Sequence, residues 1–446
     1  MTEERLVARL QDPRHGWLRQ LEIRHFRNIC GATLTFDDQR NVIIGPSGSG
    51  KTTLLQLIAM AVASNFAGLE REEFSLVYEL VSFGGVVRVV IQNRGPSDGW
   101  GLISPDGAEL AIPVKTHTLL WTYEITLTSS DGTEDWVRAN PSEARCGRAG
   151  SAEEADIEIV DPFRPYFLGR VFRCIDRFDR RFNEAPTVPM FLHEATSGRS
   201  GIRGSSRFDE VLGTFDAMTG RGAPARTVDA IAPPAWTVYP RDPSAFPDAN
   251  ASVPDCVLAA SRVDATCSRH GPEHIPFLAR ALEVLELPNG EMHLGFVARL
   301  VGGSGGVHYD RLGFTLTLPD GVSISHERLS FGQKRVLSFF YHLAVSEDVL
   351  LADELSNGLH PAWLAACLAS IAPRQAFLTT ASPHLFDHLS LSFGSADELA
   401  RSVVRCRREG SKVVFEPLDA SAADLVFRVT KARAEGTTEL LQARLF

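Results

Sequence analysis

The chain has 446 residues, 44% of them hydrophobic, and a formal net charge of −10. That length exceeds what one hydrophobic core usually organises, so one large elaborated domain or two to three smaller ones are expected. The acidic balance excludes a uniformly basic nucleic-acid binder, and the longest apolar stretches, such as Leu54 to Ala63 and Trp363 to Ala372, are too short to span a bilayer.

The N-terminus, Met-Thr-Glu-Glu-Arg-Leu, has no apolar signal core. Seven scattered cysteines without a C-x-x-C pair argue against a disulfide framework and against zinc, so a reduced cytoplasmic setting is expected. Three strands are predicted first, Trp17 to Ile23, Ala32 to Phe36 and Val42 to Ile44. The third breaks into Gly45-Pro46-Ser47-Gly48-Ser49-Gly50-Lys51-Thr52-Thr53, and an apolar helical segment, Leu54 to Ala63, follows. Gly45 through Thr52 fit the spacing G-x-x-x-x-G-K-[ST]. The three glycines let backbone N–H groups converge on phosphate oxygens, and the helix aims its positive end at the same place. Lys51 can reach the β- and γ-phosphates, and the Thr52 hydroxyl can ligate Mg²⁺.

From about Phe74 to Arg138 the pattern is strand-rich, with hairpins expected at Phe83-Gly84-Gly85 and Ser129-Ser130-Asp131-Gly132. Residues 139–165 are Pro-, Gly- and acid-rich and are predicted as loop. A helix is expected over Tyr166 to Asn183, with Phe167, Val171, Cys174, Ile175, Phe178 and Phe182 on one stripe. Arg170, Arg173, Arg177, Arg180 and Arg181 fall on an adjacent stripe, and Arg199, Arg203 and Arg207 follow. That ridge suits nucleic-acid phosphates or an acidic partner, while Asp176 and Asp179 nearby equally suit a solvated face with ion pairs. Residues 220–272 read as an irregular insertion. Regular patterning returns with a helix near 275–286 and strands around Met292 to Leu300 and Leu312 to Leu318.

Ser330 followed by Gln333 has capping-box spacing and is predicted to start the apolar helix that runs to Val345. Val349-Leu-Leu-Ala-Asp353-Glu354 reads as a buried strand ending in two acids. Asp353 can hold Mg²⁺, directly or through water, and Glu354 can polarise an attacking water as general base. A helix from Pro361 to Ala372 is expected next, then a strand from Ala376 into the polar loop Thr380-Ala381-Ser382-Pro383-His384.

With the phosphate loop, Leu329-Ser330-Phe331-Gly332-Gln333 resembles the signature motif of ATP-binding-cassette proteins. Ser356-Asn357-Gly358-Leu359-His360-Pro361 resembles the segment after Walker B in RecF, SMC and OLD-type ATPases, and Leu21-Glu-Ile-Arg-His-Phe-Arg-Asn28 is similar to the first strand of RecF-like heads. The resemblance implies an α/β, ABC-type P-loop head, a mixed sheet flanked by helices plus an antiparallel β lobe, with a helical and irregular insertion. It implies that Ser330, Gly332 and Gln333 contact ATP held by another protomer, that Lys51 and Glu354 are catalytic, and that Thr52 and Asp353 hold Mg²⁺. Ala381 stands where such ATPases commonly have a histidine, which implies slow turnover; His384 is three residues on, and Gln92 is a candidate for the Q-loop glutamine. No nuclease domain of the OLD family is expected after Pro383. The expected layout is 1–138 and 273–446 as the two parts of the head, with 139–272 inserted.

By the same resemblance, the expected partners are a second copy and a separate nuclease or toxin of an anti-phage system. The alternatives are a RecF-like DNA-repair clamp using Arg170 to Arg181, and a switch that holds ATP without turnover. A transporter subunit is disfavoured by the insertion and by the RecF-like first strand.

Overall fold

The computed structural model describes residues 16–163 apart from 65, 67, 83–84, 102–113, 130–131 and 153, together with 167–168, 170–171, 174, 236–238, 256–257 and 260. It also describes 269–432 apart from 300–306, 346–348, 382–384, 386–392 and 394. The chain divides into two compact units, one of Met1–Phe36, Met60–Gly201 and Arg407–Glu416, the other of Asp37–Ala59, Ile202–Cys406 and Pro417–Phe446.

The second unit carries the phosphate loop. Strands Val349–Ala352, Gln375–Thr380 and Arg40–Ile44 lie side by side in that order, followed by Val403–Glu409, and every pairing among them is parallel. Parallel sheets are covered on both faces, which is why Val349–Ala352 and Gln375–Thr380 are buried at every residue. The register sets Ala352 beside Leu378 and Thr380 beside Ile44. The turns that follow these strands therefore open at one edge of the sheet, the carboxyl ends, where such folds bind ligands.

Helices Pro276–Val284 and Phe331–Val345 pack through Phe277, which meets Tyr341 edge-on at 5.4 Å, and both join the core of Val42, Ile44, Leu350 and Leu378. Helix Pro361–Ala369 follows the acidic turn. A separate five-stranded sheet is built on the hairpin Asn289–Arg299 and Val307–Thr317.

In the other unit, Trp17–Phe26 pairs antiparallel with Ile29–Thr35 and Glu73–Ser82, and the ladder continues through Gly85–Gly101, Val114–Ser129 and Glu134–Ala139. Both expected hairpins are present.

Residues 139–165 correct the sequence reading. Two short strands, Ala144–Arg148 and Glu154–Asp156, extend the ladder where loop was expected. Ala144 and Cys146 turn inward while Arg145 faces outward within 3.5 Å of Asp156. Strands this short, rich in charge and glycine, leave no alternation long enough to read. In the segment read as irregular, Trp236–Val238 and Arg269–His270 pair with the five-stranded sheet. The tail adds the paired elements Val403–Glu409 and Lys412–Pro417 and helix Ala420–Ala432, none of them anticipated. Among the described residues, no helix is long and apolar enough to cross a membrane.

Candidate functional site

The strand Arg40–Ile44 ends in Gly45 at φ +149°, followed by Gly48 at +78° and Gly50 at +100°. Gly45 is required by space as well as by angle, since a Cβ there would collide with the Cys406 carbonyl oxygen. Pro46, Ser47 and Gly48 form the exposed crest, Ser49 is buried beneath them, and Lys51 to Thr53 make the first turn of the helix Lys51–Ala63. That first turn holds no acidic residue of its own against the positive helix end.

Lys51 is only 5% exposed. Its Nζ donates to the carbonyl oxygens of Gly45 at 2.9 Å and Pro46 at 3.2 Å, and lies 3.3 Å from Glu354 Oε1. The Thr52 hydroxyl donates to Asp353 Oδ2 at 2.9 Å. The phosphate loop and the acidic turn, some 300 positions apart in the chain, thus converge on one spot. The sheet register brings them together.

The acidic turn is closely held. Glu354 sits at φ +48°, a left-handed conformation costly for a side chain of this kind. Its N–H donates to the Thr379 hydroxyl at 2.8 Å, and its Oε2 accepts from the Ala381 N–H at 3.1 Å. The Thr379 hydroxyl donates in turn to Asp353 Oδ1. From below, the wholly buried Arg335 donates to the carbonyls of Asp353 at 2.9 Å, Glu354 and Leu355 at 3.4 Å.

The capping box forms as expected: Ser330 N–H donates to Gln333 Oε1 at 3.0 Å, and Gln333 N–H to Ser330 Oγ at 3.3 Å. Ser330 and Phe331 are exposed, whereas Gly332 is buried against the Gly358 carbonyl. The hydrogen bonds of Ser330 go to Gln333 and Lys334 and none to the phosphate loop. Within one chain Ser330 caps its own helix start and faces solvent. His360 serves as an N-cap, its Nδ1 accepting from Ala362 at 3.3 Å.

Gln92 lies in the Gly85–Gly101 strand, paired with Ser75 and Thr122. Of the arginine ridge, Arg170 is described and exposed. Arg173, Arg177, Arg180, Arg181, Arg199, Arg203 and Arg207 lie outside the described residues, as does His384.

Two families match in chain order. A model for an AAA domain matches residues 20–136, which include Lys51 and Thr52. A second, described as "AAA domain, putative AbiEii toxin, Type IV TA system", matches residues 224–387, which include Ser330, Asp353 and Glu354. The DNA replication and repair protein RecF of Psychromonas ingrahamii is 36% identical over 84 residues, 17% of this chain and 23% of that protein. The fold is an α/β P-loop fold, with stretches similar to AAA domains and to RecF.

RecF of Proteus mirabilis is 54% identical over 41 residues, 9% of this chain and 11% of that protein. The matched stretches thus span less than a quarter of these relatives' length. Among solved structures, the SMC head domain from Thermotoga maritima overlaps 90% of this chain and 99% of that one, at 12% identity and a TM-score of 0.37. An Smc head with an extended coiled coil, bound to the C-terminal domain of ScpA derived from Pyrococcus furiosus, overlaps 93% and 100%, at 12% identity and a TM-score of 0.35.

In this P-loop fold, sequence reasoning missed Arg335 and Thr379. Each had a signal: a cation on the face of an otherwise apolar helix, and a hydroxyl at the end of a fully buried strand.

Proposed function

We propose that the protein binds ATP–Mg²⁺ and hydrolyses it slowly, with two copies closing around two nucleotides. The observation that carries this reading is the meeting of Lys51 and Thr52 with Glu354 and Asp353 at 3.3 and 2.9 Å. The Thr52 hydroxyl and the Asp353 carboxylate are an all-oxygen donor set of the kind a small hard cation takes, so these residues fit Mg²⁺. When bound, Mg²⁺ would neutralise charge on the β- and γ-phosphates.

The rest falls to the protein's own groups. Phosphate-loop N–H groups and the helix start bind the β-phosphate side. Lys51 exchanges the Gly45 and Pro46 carbonyls and Glu354 for phosphate oxygens, which frees the Glu354 carboxylate to take a proton from water. The backbone N–H of Ala381 keeps that carboxylate oriented, and the alanine at 381 brings no imidazole of its own to share the work, which supports slow turnover. The exposed Ser330 and its helix start form a second anion site, which supports closure against the nucleotide of another copy.

The wording of the second family model, a putative AbiEii toxin of a type IV toxin–antitoxin system, supports a role in such a system, and gating of a separate toxin or nuclease partner in anti-phage defence extends that reading. A DNA-repair role is the second reading, favoured by the likeness to RecF.

The test is Glu354→Gln with ATP and Mg²⁺. Phosphate release should fall about a hundredfold or more. Light scattering should find the protein accumulating at twice the protomer mass, and Lys51→Ala should abolish both binding and dimerisation. Equal phosphate release from wild type and Glu354→Gln would remove hydrolysis from the proposal. A single-protomer mass under saturating ATP would remove closure. Salt-dependent duplex binding, lost on charge reversal of Arg173 and Arg177, would favour the DNA-repair reading.

A further inference from the structure

Thr379 is wholly buried at the carboxyl end of the strand Gln375–Thr380. Its single hydroxyl serves both acids of the neighbouring turn, donating its proton to Asp353 Oδ1 and accepting the Glu354 N–H at 2.8 Å. Two consequences follow from where those bonds fall. Asp353 has its two oxygens divided, Oδ1 taken by Thr379 and Oδ2 turned to Thr52 at 2.9 Å. The Glu354 backbone, at φ +48°, is held in a conformation it would not adopt unaided. A left-handed residue aims its side chain differently from an extended one. Pinning its N–H is thus what lets the Glu354 carboxylate reach both the Ala381 N–H at 3.1 Å and Lys51 at 3.3 Å.

We propose that Thr379 is a positioning residue of the ATPase site, whose one hydroxyl fixes the metal-facing oxygen of Asp353 and the direction of the Glu354 side chain together. This rests on the ATPase reading above. Valine matches threonine in shape but can neither donate nor accept. Thr379→Val therefore leaves Asp353 Oδ1 and the Glu354 N–H unpaired in the interior while keeping the packing. Serine keeps the hydroxyl and loses a methyl group. A purely structural role ranks valine above serine, and a positioning role ranks serine above valine.

The experiment measures ATP binding by calorimetry across a Mg²⁺ titration, with kcat and KM in parallel, for wild type, Thr379→Val and Thr379→Ser. In the valine variant, half-saturation by Mg²⁺ should rise about tenfold and kcat fall about tenfold to a hundredfold. Its affinity for ATP without Mg²⁺ and its KM should stay within about twofold, and serine should restore both changed quantities to within about threefold. If valine does not fold, Thr379→Ala takes its place against serine with the same expected order. A valine or alanine variant with wild-type Mg²⁺ dependence, or one that outperforms serine, overturns the proposal. If the wild type shows no turnover that depends on Lys51, the ATPase reading fails, and the Mg²⁺ titration of binding still decides the role of Thr379.

Discussion

Arg335, buried in the helix that begins at Phe331, donates to the Asp353 carbonyl at 2.9 Å. With its bonds to Glu354 and Leu355, one planar guanidinium satisfies three successive carbonyls of the acidic turn. The helix that starts at the capping box and the turn that holds both acids are thereby joined. Lysine has no fork with which to repeat this. Arg335→Lys is expected to cost about 3 kcal/mol, because carbonyls are left unpaired in the interior. Urea unfolding measures the loss, and a loss under about 0.5 kcal/mol would contradict it.

Gly45→Ala is expected to destabilise the phosphate loop itself. At φ +149° the added methyl would run into the Cys406 carbonyl, and backbone cannot swing aside as a side-chain tip can. The cost should be about 2 kcal/mol or more. On the proposed ATP binding, ATP should raise the melting temperature of the wild type, and that rise should largely disappear in this variant.

Gly358, at φ +74°, has no room for a Cβ beneath the Phe331 ring, which is 39% exposed. Gly358→Ala is expected to cost about 1–2 kcal/mol from the backbone angle, and more from displacing the ring. Phe331→Ala removes the second part. A double-mutant cycle should therefore find the pair less damaging than the sum by about 0.5–1 kcal/mol.

Acid sensitivity should come in part from His342. Burial holds its imidazole neutral and pushes its pKa down to about 4. The unfolded chain titrates it near the ordinary value of about 6.5. Between those values the unfolded state binds a proton that the folded state does not. The stabilising contribution is therefore fully present above about pH 6.5 and is lost as pH falls toward 4, up to about 3 kcal/mol. Burial moves His326 the same way. His342→Leu should flatten this acid limb, measured as the change in urea midpoint between about pH 7.5 and pH 5.

The amino-acid order by itself determined the phosphate loop, the capping box and the strand ending in Asp353 and Glu354. Each is a local pattern: a glycine spacing, a Ser330–Gln333 offset, an apolar run closed by acids. Local patterns survive without neighbours because the backbone conformations they encode are set within a few residues. The strands at Ala144–Arg148 and Lys412–Pro417 were illegible because each is too short to show its alternation and is made a strand by pairing, the first with Glu134–Ala139 and the second, at Val413, with Ile29. The same holds within the site. That Thr52 faces Asp353, that Thr379 bridges two acids and that Arg335 clasps their carbonyls depends on parallel strands being laid in the order Val349–Ala352, Gln375–Thr380, Arg40–Ile44. Only the tertiary fold decides which hydroxyl and which cation lie buried beside a carboxylate, because burial is a property of the packed whole.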